Sequence, residues 1–452
     1  MTTLLDNKVC MAFSGDFWPK ALAQGLYRVA AEPWIVGEGL GSSFHKGLDT
    51  RLDCLPLHHG DPFSVRHTKL YSAVSIRRHG IQKCDSVAHL QLIPTTGIML
   101  QMFHKIFLLA ALLAAALGTA VPTKKVHTTS RGYHYTYYTY PGDTSKATLF
   151  LLHGWPDSHT LWDSVLPSLQ ATGHPIIVPD LLGYAGTSKP NDTFAYNSRD
   201  VSADLIELVD AENVTSIIPI GHDWGSFAAS RMQLWYPKRV LGVTLLSVAY
   251  NPPETTQRFS LAATQQQQQD QFGSPLYAYW SFFTSAEAAP LVERRLDSFY
   301  TILHGYAENW GVRTFTTFGG YPSILNDNLR APLKPYASAV KESILAPLRA
   351  GGLSAPFQWY RVFVANYHND VEKAVPRANY VFDKPVLFVT GSSDTVCRTQ
   401  LIDPAVEAGL LPRLTRKELT SGHWLPLEVP KQLSAVIVDF LKKNAREFTV
   451  RG

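Results

Sequence analysis

The sequence predicts an α/β fold: a mostly parallel central sheet flanked by helices, with a helical cap inserted into it. From Thr128 onward, short apolar runs rich in β-branched residues recur and read as strands buried on both faces. Amphipathic helical stretches alternate with them, as expected of a parallel sheet covered by helices. After Tyr250 the alternation stops, and it resumes only at Tyr380.

The predicted strands are, in order, Thr148–Leu152, Ile176–Pro179, Ser216–Ile220, Val243–Ser247 and Pro385–Thr390. Between them, Ser202–Asp210 and Phe227–Tyr236 carry helical periodicity. Residues 128–250 thus make the first part of the core and 368–449 the second. The stretch between, 251–367, is aromatic and helical in pattern, with no clear strand. An insertion of this kind is expected to cover the carboxyl ends of the strands, where ligands bind. Within it, the run Gln265–Gln269 reads as a solvated helix end or loop.

Upstream of the core, residues 1–101 keep neither a 3.6- nor a 2-residue period and read as a disordered extension. Met102–Pro122 then has the layout of a secretory leader, ending at about residue 120. His104 and Lys105 are followed by an apolar run and by the small residues Gly118-Thr119-Ala120. The run Ile106–Val121 is shorter than the ~20 residues a spanning helix needs. Two outcomes stay open. Translation from Met102 would send the protein into the secretory route with a mature terminus near Val121, the favoured outcome; otherwise the segment anchors it at a membrane.

The net charge is +4 with no basic block, which speaks against nucleic acid or an acidic partner. Of the four cysteines, Cys10, Cys54 and Cys84 precede residue 100, leaving Cys397 alone in the part that reads as folded. A lone cysteine cannot staple its own domain, so the core must supply the stability. No metal-ligand spacing appears, and no cofactor is expected.

Ile220-Gly221-His222-Asp223-Trp224-Gly225 follows a predicted strand and precedes a helix. Glycines around a central residue allow the sharp turn of a nucleophile elbow, which thrusts that residue out above the sheet. Here the residue is Asp223 instead of a serine. An aspartate, with a pKa near ~3.9, is already ionised at neutral pH and needs no base to activate it. It can displace at carbon and form an ester that water must then hydrolyse. The ordinary alternative is a tight turn in which Asp223 caps the next helix.

Three further motifs complete the set. Leu152-His153-Gly154-Trp155-Pro156 follows the first predicted strand. Such a loop supplies one backbone N–H of an oxyanion hole and the residue after the nucleophile supplies the other, here Trp155 and Trp224. Pro156 would fix the loop, with a cis bond as one way to do so. Asp394 stands just past the strand Pro385–Thr390, and His423 lies in Ser421-Gly422-His423-Trp424. Nucleophile, acid, histidine is the chain order of an α/β-hydrolase fold. Asp394 would orient His423, which would activate the hydrolytic water. Singly, Asp394 could be a turn residue and His423 a structural one; their shared order at strand ends argues otherwise.

Taken together, these motifs resemble the soluble-type epoxide hydrolases of the α/β-hydrolase superfamily. The resemblance runs from about Thr128 to Arg446, through HGWPDS, PDLLGYAGTSKP, GHDWGS, FQWYR and SGHW. It implies a vicinal diol as product, no cofactor or metal, and two cap tyrosines that hydrogen-bond the epoxide oxygen and act as acid. One matches Tyr360 in FQWYR. The other falls in SPLYAYW, best at Tyr277, with Tyr279 two residues on.

The nearest rival is a haloalkane dehalogenase, which shares the aspartate nucleophile and would use Trp155 and Trp224 as halide donors. Paired tyrosines would have no task there, since a halide leaves without a proton. A hydrolase scaffold retained only for binding is the rival from another class. A serine esterase is weaker still, because Ser226 sits inside the helix beyond the elbow. The aromatic cap suggests a small apolar epoxide as substrate. Asn191-Asp192-Thr193 and Asn213-Val214-Thr215 would be glycan acceptors in a secreted protein, Asn191 the better placed.

Overall fold

The structure, a computed structural model, describes residues 121–450. The extension 1–101 and the leader-like segment 102–120 lie outside the described residues. Among the described residues, no helix is long and apolar enough to cross a membrane.

Eight strands form one sheet in the order β1-β2-β4-β3-β5-β6-β7-β8. They are β1 (Thr123–Thr128), β2 (His134–Tyr140), β3 (Thr148–Leu152), β4 (Ile176–Pro179), β5 (Ile217–His222), β6 (Val243–Leu246), β7 (Val386–Gly391) and β8 (Leu414–Leu419). From β4 across to β8 every neighbouring pair is parallel, while β2 runs antiparallel to β1 and β4. The five predicted strands are β3 to β7, the first two with the expected bounds and the others displaced by one or two residues. Each is buried along its whole length, which is why apolar residues predominate in each.

The sequence reading missed β1, β2 and β8. Two of these are the edges of the sheet, with the sequences TKKVHT and LTRKEL. Edge strands carry charge to discourage pairing with other chains, so they do not announce themselves as apolar runs. The carboxyl terminus returns to the sheet, where Ala147 N–H donates to the Phe448 carbonyl and Val450 N–H to that of Ser145, both at 2.8 Å.

A helical insertion occupies the chain between β6 and β7, from Leu261–Phe272 to Tyr367–Glu372. Arg231, on the helix Trp224–Trp235, ties down both of its stems. Its guanidinium donates to the Asn251 carbonyl at 2.8 Å and grips Glu372 through Nε at 2.9 Å and Nη2 at 3.2 Å. Both side chains of that pair are buried.

The expectation for Gln265–Gln269 is corrected. The run lies inside the helix Leu261–Phe272, and Gln265 and Gln268 are buried. Their amides bond neighbouring chain, which makes a buried amide affordable in place of a solvated one.

Candidate active site

Asp223 ends β5 and starts the helix Trp224–Trp235 with φ +53°, ψ −123°. That backbone strain is the signature of a sharp elbow and is tolerated only where the surroundings over-determine it. They do so here by close approach. A Cβ on Gly221 would collide with the Gly225 carbonyl, and one on Gly225 with the Leu152 carbonyl. Gly154 is held to glycine for the same reason, since a Cβ there would run into the Asp223 side chain. Ser226 is spent on backbone: its hydroxyl lies 2.7 Å from the Gly221 carbonyl and accepts from Leu246 N–H at 2.8 Å.

The Asp223 carboxylate is shared between two donors. Oδ1 accepts from Trp155 N–H at 2.8 Å, and Oδ2 faces His423 Nε2 at 3.5 Å. Burial would raise its pKa, but the His423 hydrogen bond and charge, with smaller help from His222 and Trp155 N–H, hold it below the usual carboxylate value. Trp224 is the first residue of the helix, one step past Asp223.

His423 is fixed from behind. Nδ1 bonds Asp394 Oδ2 at 2.8 Å, and Asp394 Oδ1 accepts from the N–H groups of Val396 and Cys397 at 2.8 and 3.0 Å. The His423 carbonyl accepts from Ser247 Oγ and from His222 Nε2, at 2.8 and 2.9 Å. Burial opposes a charge on the imidazole, yet Asp394 and Asp223 outweigh it and raise its pKa to about 10. His222, beside that positive ring, is depressed to about 4, first by burial and then by His423.

The oxyanion-type loop is braced by His153. Its Nε2 accepts from Leu181 N–H at 2.9 Å, so the proton sits on Nδ1 and donates to the Gly154 carbonyl at 2.9 Å. Burial depresses the His153 pKa to about 4, which keeps the ring neutral. The Trp155–Pro156 bond is cis.

Asp157, next along, drew no role from the sequence. It is buried, accepts from the Trp424 indole at 3.1 Å, and is pushed up to about 7, chiefly by burial. The sequence signal was there in part: Asp157 closes the HGWPD stretch and Trp424 closes SGHW.

Facing this group is a cage of rings from the insertion. Tyr360, on the helix Gln358–Val364, meets Trp155, Trp224, Trp280 and Tyr279 edge-on at 5.8, 5.0, 5.2 and 6.0 Å between ring centres. Its helix is held to the core by the Trp359 indole, which donates to the Leu182 carbonyl at 2.9 Å. Burial raises the Tyr360 hydroxyl well above its usual pKa, and Tyr279 and Asp223 add to this.

The two candidates for the first tyrosine differ in burial and in ring contacts. Tyr279 is buried, with its ring against Tyr360, and after burial Asp223 is the foremost influence on its hydroxyl. Tyr277 is half-buried and stacks flat on Trp280 at 4.8 Å; after burial the foremost influence on its hydroxyl is Cys397. The two differ because the chain turns into the helix Trp280–Phe283 right after Tyr279, with Tyr279 N–H anchored on the Phe315 carbonyl at 3.1 Å. A cavity of about 270 Å³ in the insertion has Tyr279, Phe282 and Tyr321 in its wall. Among the described residues, no group of three or more His, Cys, Asp or Glu is placed to hold a metal ion.

Residues 147–430 match the family model of the alpha/beta hydrolase fold. Among curated proteins, the chain is 26% identical over 303 residues to epoxide hydrolase srdG of Neurospora crassa, covering 66% of this chain and 87% of that one. It is 27% identical over 312 residues to epoxide hydrolase A of Mycobacterium tuberculosis, covering 66% and 92%. Among solved structures, epoxide hydrolase A from Mycobacterium thermoresistibile superposes with a TM-score of 0.60 at 23% identity, over 71% of this chain and 98% of that one. An epoxide hydrolase from an endophytic Streptomyces does so at 0.58 and 25%, over 72% and 96%. With the family model spanning well over half its length, this chain belongs to the alpha/beta-hydrolase fold family.

Proposed function

We propose that the protein is an epoxide hydrolase that opens its substrate through an ester on Asp223. One observation carries the reading: a buried carboxylate at the elbow has one oxygen bound by Trp155 N–H and the other turned toward a histidine–aspartate pair. The named activity of its relatives agrees with it.

The geometry divides the two oxygens by task. Oδ2, free of the N–H, attacks an epoxide carbon, and the C–O bond breaks toward a ring oxygen that takes its proton from Tyr279 or Tyr360. Oδ1 is then the carbonyl oxygen of the ester, already seated on Trp155 N–H. His423, a cation at rest, gives its proton to the tyrosinate left by ring opening and then takes one from water as the hydroxide adds to the Asp223 carboxyl carbon. The negative charge that develops on Oδ1 is stabilised by Trp155 N–H, with Trp224 N–H as second donor. Collapse breaks the ester C–O bond; the leaving alkoxide takes the proton of the new carboxyl group, which releases the vicinal diol and restores the carboxylate, with His423 again a cation.

In this reading the helical insertion, residues 251–367, acts as a cap. The dehalogenase reading keeps one observation in its favour: the indole nitrogen of Trp155 is buried without a hydrogen-bond partner.

Incubating the full-length chain with an aryl epoxide, and separately with a haloalkane, distinguishes these readings. Diol formation abolished by Asp223→Ala, with oxygen-18 from labelled water passing into Asp223 and then into product, is expected. Halide release without diol would transfer the assignment to the dehalogenase. A folded protein that yields neither would favour a scaffold kept for binding.

A further inference from the structure

The glutamine run stands apart from the chemistry, yet two of its members are buried and bonded to one short segment. Gln268 Oε1 accepts from Tyr277 N–H at 3.0 Å. Gln265 Nε2 donates to the Tyr277 carbonyl at 2.8 Å and to Ser281 Oγ at 3.1 Å. Tyr279 lies midway between those two anchor points. Tyr279 N–H adds a third, on the Phe315 carbonyl. Short turns lead into the helix Trp280–Phe283, with Ala278 N–H on the Pro275 carbonyl and Trp280 N–H on the Tyr277 carbonyl, and the glutamine bonds tie those turns to the neighbouring helix.

The same helix reaches the other tyrosine. Just before its start, Phe259 exchanges two bonds with Asn366: N–H to Oδ1 at 2.6 Å, and carbonyl from Nδ2 at 3.1 Å. Asn366 lies two residues past Val364, the end of the helix that carries Tyr360. Leu261–Phe272 therefore links the two: the Asn366 amide, just past the Tyr360 helix, holds the backbone at Phe259 ahead of it, and its own Gln265 and Gln268 hold the Tyr279 segment. Two hydroxyls that must meet one epoxide oxygen need a fixed separation, and a displacement of about 1 Å can cost on the order of a hundredfold in rate.

We infer that Gln265 and Gln268 are positioning residues for ring opening, and that the helix bearing them is a strut that sets the spacing of Tyr279 and Tyr360. This rests on the reading that Tyr279 is an acid for the epoxide oxygen. The strut acts on the first half-reaction alone, because ester hydrolysis uses His423, Asp394 and the Trp155 N–H, all on the core.

Single-turnover kinetics on the full-length chain, with a styrene-type epoxide, resolve ester formation from ester decay. Gln268→Leu removes the acceptor for Tyr277 N–H and should slow ester formation by about tenfold or more while leaving ester decay within about twofold. Gln268→Glu keeps an acceptor there and should restore most of the rate. Gln265→Glu offers a carboxylate where a donor is needed and should behave as Gln268→Leu does. A purely structural role would slow both steps together and track the thermal midpoint. Equal slowing of both steps, or failure of Gln268→Glu to recover, overturns the inference even if Gln268→Leu does not fold. Tyr279→Phe, run alongside, separates the two levels. If it leaves ester formation unchanged, the acid reading itself falls; if it slows ester formation and the glutamine variants do not, only the strut falls.

Discussion

Replacing Asp223 by Asn should discharge His423. The imidazole sits between two carboxylates, and its pKa of about 10 reflects Asp394 and Asp223 acting against burial. Two unit charges 3.5 Å apart, at an effective dielectric constant of about 20, interact by about 5 kcal/mol. At about 1.4 kcal/mol for each tenfold change in proton affinity, removing the Asp223 charge should bring His423 down by about three, to about 7. In the proposed reaction, esterification of Asp223 would remove that same charge, so His423, charged at rest, would become a competent base only after the first step. Titration of 15N-labelled imidazole by NMR in Asp223→Asn, with mass spectrometry verifying the asparagine, reads the value directly. A His423 that still titrates near 10 would refute the reasoning, because Asp394 alone would then hold the proton and ester formation could not release a base.

Other expectations follow from the same contacts. Tyr279→Phe should lower epoxide turnover by at least about tenfold while Tyr277→Phe stays within about threefold; steady-state kinetics of both variants decide between the two tyrosines. Asp157, raised to about 7 by burial, favours the protonated folded state. Its folded pKa lies above the unfolded value, so its penalty is absent below about pH 4 and grows to roughly 4 kcal/mol as pH rises toward 7. Asp157→Asn should flatten that decline in urea-unfolding free energy, and an unchanged slope would assign the decline elsewhere. Glu372→Gln leaves Arg231 a buried cation with no counter-charge and should cost about 3–5 kcal/mol of stability, measured by the same unfolding. Gly154→Ala should remove activity, since its Cβ has only the Asp223 side chain and the His222 carbonyl to push against.

How much of this was legible in the sequence depended on whether a feature was local. β3 to β7 could be read because burial on both faces demands apolar residues throughout, whereas β1 and β8 satisfy the sheet with charged side chains at its rim. Asp223, Asp394 and His423 each follow a strand or lie in a short distinctive motif, and the structure brings all three together. The choice between Tyr277 and Tyr279 was not local. Both lie in a short stretch where neither helical nor strand periodicity applies, and what distinguishes them is a contact of Tyr279 with Tyr360 far along the chain. Gln265 and Gln268 were misread for a related reason. A run of glutamines looks solvated until the partners that satisfy its amides are known.

Arg231 has a bearing on how such proteins can be recombined. Because one buried guanidinium holds Asn251 where the insertion departs and Glu372 near where it returns, the insertion is coupled to the helix behind the elbow at a single electrostatic junction. A chimera whose imported insertion lacks a carboxylate at the place of Glu372 would leave the host's Arg231 buried without a counter-charge. Transplants that preserve both members of the pair should therefore fold where those that preserve one do not, so the natural boundary of the exchangeable module is set by a residue on the helix that starts at the elbow.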